Sequence, residues 1–188
     1  MILEGLVTTR SPHGTIHLAP MGPRIESDWQ RLVLRPFPTS QTFHNLRAHG
    51  AGVFHVTDDV LLLAKAALGK AEVPAWRPAE RVPGYVLTDA CRFYEFVVRS
   101  VDESAERVRI EADVVQAGSL REFFGFNRAK HAVLEAAILA TRFHLLDLAE
   151  VATEFDKLRV IVEKTGGPAE FEALAFLQAE LDRARGLP

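Results

Sequence analysis

Two segments, "CRFYEFVVRSV" and "ERVRIEADVV", flank the turn residues "DESA", and the second constrains the chain most. In it Val108, Ile110, Ala112 and Val114 alternate with Arg107, Arg109, Glu111 and Asp113. Successive side chains on a strand point to opposite faces, so this pattern makes a strand with one dry face and one wet one. A short turn between two such strands makes them antiparallel neighbours. From Asn127 the period changes. "NRAKHAVLEAAILATRFHLLDLAEV" is rich in alanine and leucine at helical spacing, with no internal glycine or proline. "TGGP" at 165–168 breaks the helical region, and an amphipathic helix follows from about Ala169 to Arg185. The chain is therefore mainly β with α: an antiparallel β domain over residues 1–122, then a helical subdomain over 123–188 built as a helical hairpin.

The β part begins early. Ile2 to Thr9 and Thr15 to Met21 read as a hairpin joined by Ser11, Pro12, His13 and Gly14. "RLVLRPF" is a third strand, ended at Pro36 because proline cannot donate to a ladder. A helix over about Ser40 to His49 closes at Gly50, "GVFHV" follows as a strand, and Asp58 is placed to cap a helix over Val60 to Leu68. "EVPAWRPAERVPG" reads as an ordered surface loop.

Bulk properties narrow the function. The 188 residues carry a formal charge of -3, with no basic excess to neutralise a nucleic-acid backbone. The single cysteine, Cys91, excludes an internal disulfide framework and a multi-cysteine metal site, and is expected to be a quiet thiol in a strand. No apolar run reaches the roughly 18 residues of a membrane span, and "MILEGLVTTR" has no basic segment ahead of an apolar stretch. The expectation is a cytoplasmic protein with no nucleic-acid or membrane partner.

The polar cluster "RPFPTSQTFHNLR" carries the strongest chemical signal. A helix starting near Thr39 or Ser40 has open backbone N–H groups and a partial positive end. Hydroxyls of Thr39, Ser40 and Thr42 add donors, and Arg35 at the end of the preceding strand offers a full charge and a bidentate fork. Together these parts suit a phosphate. The plainer alternative is a helix cap beside an Arg35–carboxylate pair. A second signal is Arg128 with Lys130 in the first turn of the helix that Asn127 can cap, where the helix dipole disfavours cations. A ligand anion, or a carboxylate such as Glu122, is expected beside them.

Other patterns are weaker. His13 and His17 sit in a hairpin and share no helical face, so no metal site is expected. Ser40 and His44 lack a third group to orient the histidine. "HGAG" precedes a strand where a dinucleotide fingerprint should precede a helix. His131 and Glu135 are one helical turn apart and read as a surface pair. Trp29 and Trp76 lie in loops, where either could cover the flat ring of a ligand, although packing against the barrel is the more ordinary role.

The run "HLAPMG", then a strand, Arg35 and "TSQTFHNL" before "GVFHVTDD", resembles the flavin-reductase-like FMN-binding split barrels. More narrowly, "RPFPTSQTFHNLR", "GVFHVTDDVLLLAKAALG" and "FNRAKHAVLEAAILATR" resemble the DUF447 family. The resemblance implies a six-stranded antiparallel split β-barrel that forms a homodimer and binds FMN. It implies phosphate contacts from Arg35, Thr39, Ser40, Thr42 and Asn45, and a ring passing Ala19, Pro20, Met21 and Gly22, with Arg128 and Lys130 as further anion contacts. The implied function is an oxidoreductase moving hydride or electrons between small molecules through flavin. Flavin carries its own redox chemistry, so no acid–base constellation is required. A non-catalytic flavin-binding or protein-interaction module is the alternative, and the superfamily also includes users of deazaflavin and haem.

Overall fold

In the computed structural model, which describes residues 1–26 and 28–187, the strands are β1 (Gly5–Arg10), β2 (Ile16–Met21), β3 (Arg24–Ile25), β4 (Arg31–Leu34), β5 (Ala51–Val56), β6 (Trp76–Pro78), β7 (Tyr85–Leu87), β8 (Arg92–Asp102) and β9 (Arg109–Ser119). The helices are α1 (Gln41–His49), α2 (Val60–Ala67), α3 (Arg128–Ala140), α4 (Leu148–Thr165) and α5 (Pro168–Ala184). They divide into two units, Met1–Thr57 with Glu72–Phe123, and Asp58–Ala71 with Phe124–Pro188.

The first unit is an antiparallel sheet in the order β2-β1-β5-β8-β9-β4-β3. Its two edge strands are consecutive pieces of one extended stretch, parted only by Gly22 and Pro23. β2 pairs with β1, and β3 pairs with β4 through Arg24↔Val33 and Ile25↔Leu32. β3 also meets residues 1–3, through the bridge Ile2↔Arg24 and the bond from Leu3 N–H to the Pro23 carbonyl. The sheet thus closes on itself, and the seven segments amount to the six strands expected, one of which changes partners at Gly22-Pro23. Proline is tolerated there because it lies between ladders and has no donor to lose.

The barrel interior is filled by Val7, Leu32, Leu34, Phe43, Leu46, Phe54, Tyr94, Phe96, Val108, Ile110 and Ala112. The alternation read from β9 is therefore real: Val108, Ile110 and Ala112 are buried while Arg107 and Arg109 are exposed. Gly5 allows β1 to lie tight on β5, since a Cβ there would come 2.3 Å from the His55 carbonyl. α1 is capped by Ser40, whose Oγ accepts from Phe43 N–H, and it ends at Gly50 with φ 63.

The stretch expected as a loop contains β6, which pairs with β7 just after it to form a small second sheet. Three polar groups fix that excursion. Thr8 Oγ1 donates to the Tyr85 carbonyl at 2.5 Å. Buried Glu95 accepts from the N–H groups of Glu80 and Arg81 at 2.9 and 2.6 Å. His55, fully buried, accepts at Nε2 from Leu87 N–H at 3.0 Å, and its Nδ1 lies 3.4 Å from the Leu6 carbonyl, which assigns the ring hydrogen to Nδ1. Burial pushes the His55 pKa down to about 3.

The second unit packs α2, α3, α4 and α5 around Ala129, Val133, Ala136, Val151, Phe155, Val162, Leu174 and Leu177. Three features differ from the sequence reading. Asp59, not Asp58, caps α2, accepting from Leu62 N–H, because Asp58 Oδ2 instead takes Phe124 N–H at 2.8 Å. The unbroken apolar run divides into α3 and α4, because Asp147 accepts from Ala149 N–H at 2.7 Å and starts a new helix. The hairpin around "TGGP" is accordingly α4 with α5, and α3 and α2 complete the unit. Finally, the carboxylate beside Lys130 is Glu170 at 2.8 Å, and Lys130 Nζ also donates to the Asp58 carbonyl at 2.7 Å. Burial pushes the Glu170 carboxyl up, but Lys130 and Gly167 N–H outweigh it and hold the carboxyl below its ordinary value.

Two predictions follow from these contacts. In the folded chain His55 stays neutral, whereas unfolded it takes a proton below about pH 6.5. Its stabilising contribution is therefore whole above pH 6.5 and shrinks as pH falls toward about 3. Urea unfolding should show about 3 kcal/mol lost from this residue between pH 7 and pH 4; a His55 that titrates near 6.5 by NMR would contradict this. Glu170→Gln leaves a largely buried ammonium without its anion and should cost about 2–4 kcal/mol, while exposed Arg128→Ala should stay within about 0.5 kcal/mol of the parent. Denaturant midpoints measure both, and equal small effects would remove the structural role of the Lys130–Glu170 pair.

Candidate functional site

The two segments singled out in the barrel part meet at one level of the sheet. Ala19, Pro20 and Met21 end β2, and Gly22 follows; Arg35 is the first residue after β4. β3 and β4 are antiparallel, so the start of β3 and the end of β4 lie side by side. Gly22 and Arg35 each lie two residues beyond the last pair of that ladder, Arg24↔Val33, at the same end of it. Gly22 is closely packed, since a Cβ there would come 2.8 Å from the Glu4 carboxylate.

Arg35 is exposed and makes no hydrogen bond or ion pair with another described residue. The carboxylate partner that the plainer alternative requires is therefore not found among the described residues. Thr39 is exposed as well. Ser40 is spent on the helix start: its hydroxyl donates to the Phe37 carbonyl at 2.7 Å and accepts from Phe43 N–H at 3.2 Å. That cap satisfies one of the first-turn donors and leaves the Gln41 and Thr42 N–H groups open. The first turn of α1 has no acidic residue, and Arg47 and His49 lie in the last.

Thr42 is buried, at 2% exposure, and Asn45 wholly so. The Asn45 carboxamide donates to Thr9 Oγ1 at 2.9 Å and accepts from Gln41 Nε2 at 2.7 Å. It ties α1 to β1 and positions the helix start from inside. Lys130 is committed to Glu170 and Asp58, as described, whereas Arg128 is exposed and makes no ion pair with a described residue.

The remaining sequence candidates fall into place individually. His17 sits in β2, and burial pulls its pKa down. No group of three potential metal ligands occurs among the described residues, and no described helix is long and apolar enough to cross a membrane. The Ser40 hydroxyl makes no bond to the His44 ring; the two residues are joined only by the backbone bond from His44 N–H to the Ser40 carbonyl at 3.2 Å. His131 and Glu135 do not bond to each other; both line a cavity of about 340 Å³ with Phe126, Arg128, Leu158 and Ile161. Trp76 packs edge-on against Tyr85, with ring centroids 4.9 Å apart. Trp29 stacks on Tyr94 at 4.5 Å and 11°, and has φ 59, a left-handed conformation rare for a bulky residue. Cys91 is buried just before β8, where its N–H donates to the Val56 carbonyl.

Comparison with solved structures places this architecture. An FMN-bound DUF447-family protein of Methanosarcina mazei superposes with a TM-score of 0.83 at 22% identity, covering 95% of this chain and 94% of that one. The 2-nitrobenzoate 2-nitroreductase of Pseudomonas fluorescens gives 0.54 at 14% identity over 62% of this chain and 64% of that one. The styrene monooxygenase flavin reductase of Pseudomonas putida S12 gives 0.52 at 13% identity, covering 62% and 78%. No curated protein matches. The family model for the protein of unknown function DUF447, N-terminal domain, matches residues 3–121, and that for its second part, DUF447, matches 127–178. Together these cover most of the sequence, and the chain belongs to the DUF447 family.

Proposed function

We propose that this chain is an FMN-binding flavoprotein and acts as an oxidoreductase, passing hydride or electrons between small molecules. The observation that carries the reading is the pairing of β3 with β4, which leaves Gly22 and Arg35 two residues beyond the same end of one ladder. The donor set there matches a phosphate monoester: an unpaired guanidinium, the Thr39 hydroxyl and two open N–H groups at a helix start without acidic residues. The likeness to an FMN-bound protein of the same family supports the same ligand.

Within this reading Arg35, Thr39 and the first turn of α1 hold the phosphate. Ser40 and Asn45 keep that turn in place, and Thr42 contributes its backbone N–H. Ala19, Pro20, Met21 and Gly22 offer backbone groups to the ring edge. Bound flavin supplies the redox chemistry, and the chain binds it, orients it and shields one side from water. The working form is a homodimer. Phe124 and Phe126, at 73% and 97% exposure, are apolar side chains open to such contact. Arg128 keeps a guanidinium free for an anion of its own.

The test is FMN titration of the purified protein, followed by visible absorbance with size exclusion on the same sample. Arg35→Ala should weaken FMN by about 1.5–3 kcal/mol, the value of its charge-assisted hydrogen bonds. Unchanged affinity in a folded Arg35→Ala variant removes Arg35 from the phosphate site.

A further inference from the structure

A cavity of about 440 Å³ lies in the barrel unit, lined by Asp28, Trp29, Gln30, Arg92, Tyr94 and Gln116, with Val114, Val115 and Ala117. It is set apart from the phosphate donors along β4: Asp28–Gln30 precede that strand, and Arg35 follows it. Its size falls in the range of about 300–1,000 Å³ usual for small-molecule sites.

Three observations say what would fill it. Tyr94 is only 2% exposed, yet its hydroxyl makes no hydrogen bond with any described residue. The ring is held in the core while the hydroxyl keeps its full donor and acceptor capacity for something inside the cavity. Burial raises the Tyr94 pKa, which keeps the hydroxyl protonated and able to donate. Second, the stacked Trp29–Tyr94 pair and the valines beside it form apolar walls suited to a flat ring. Third, Arg92 is the charge left over. Its guanidinium lies 5.8 Å from the Tyr94 ring and makes no ion pair with a described residue, whereas Asp28 already accepts Gln30 N–H at 3.1 Å. The Gln116 carboxamide likewise makes no hydrogen bond with a described residue and adds polar capacity at the wall.

We propose that this cavity binds a small planar aromatic carboxylate, its ring against the Trp29–Tyr94 pair and its carboxylate held by Arg92 and the Tyr94 hydroxyl. The inference does not depend on the flavin assignment, because none of these residues belongs to the proposed phosphate site.

The probe is 2-naphthoate, titrated calorimetrically into the full-length protein with and without saturating FMN, with the FMN affinity of each variant measured in parallel. Saturable binding of one naphthoate per chain is expected. Arg92→Gln should weaken it at least about tenfold, the value of one charge-assisted hydrogen bond. Tyr94→Phe, which keeps the ring and removes only the hydroxyl, should weaken it several-fold. FMN affinity should stay unchanged in both variants. Binding that does not saturate, or that ignores both substitutions, overturns the proposal. A parallel fall in FMN affinity, or competition between naphthoate and FMN, also overturns it, because the cavity would then be part of the flavin site. Arg92 is exposed, so its variant remains informative even if Tyr94→Phe perturbs the core.

Discussion

The closure of the barrel by one strand with two partners is the constraint on which the rest of the first unit depends. Ile16 to Met21 pairs with β1, Arg24 and Ile25 pair with β4, and the change of partner happens at Gly22 and Pro23. An open sheet would leave both edges unpaired, and closure removes them. It also leaves Gly22 and Arg35 just beyond the same end of the β3–β4 ladder. The proposed cofactor site is thus a by-product of how the barrel closes.

Polar groups inside this unit each hold a piece of backbone. His55 holds β7, Glu95 holds the Glu80–Arg81 turn, Thr8 holds Tyr85, and Asn45 holds α1 against Thr9. Each is buried and would be costly if unpaired, so each specifies one position for the segment it grips. In the helical unit Glu170 has the same role, joining the start of α5 to Lys130 of α3.

Much of this was legible in the sequence because it is local. Period-two alternation located β9, Ser40 and Gly50 bounded α1, and "TGGP" marked the α4–α5 turn. The quoted motifs also identified the family. What escaped is non-local. Whether Asp58 or Asp59 caps α2 depends on Phe124, 65 residues or more away, whose N–H occupies Asp58. Lys130 pairs with Glu170 and not with the nearby Glu122, because helix packing decides which carboxylate arrives. The split between α3 and α4 had a local signal, the capping aspartate Asp147, hidden inside an apolar run. The Tyr94 cavity had none, since Trp29, Arg92 and Gln116 come from three separate stretches and meet only through the register of the sheet.

The central claim, that closure assembles a phosphate-binding edge from Arg35 and the first turn of α1, is tested most directly by amide and arginine side-chain NMR during FMN titration. The account predicts that the Arg35 Nε and the Gln41 and Thr42 amides shift together and saturate with the flavin absorbance change. Saturable flavin binding that leaves those three signals unmoved would contradict it.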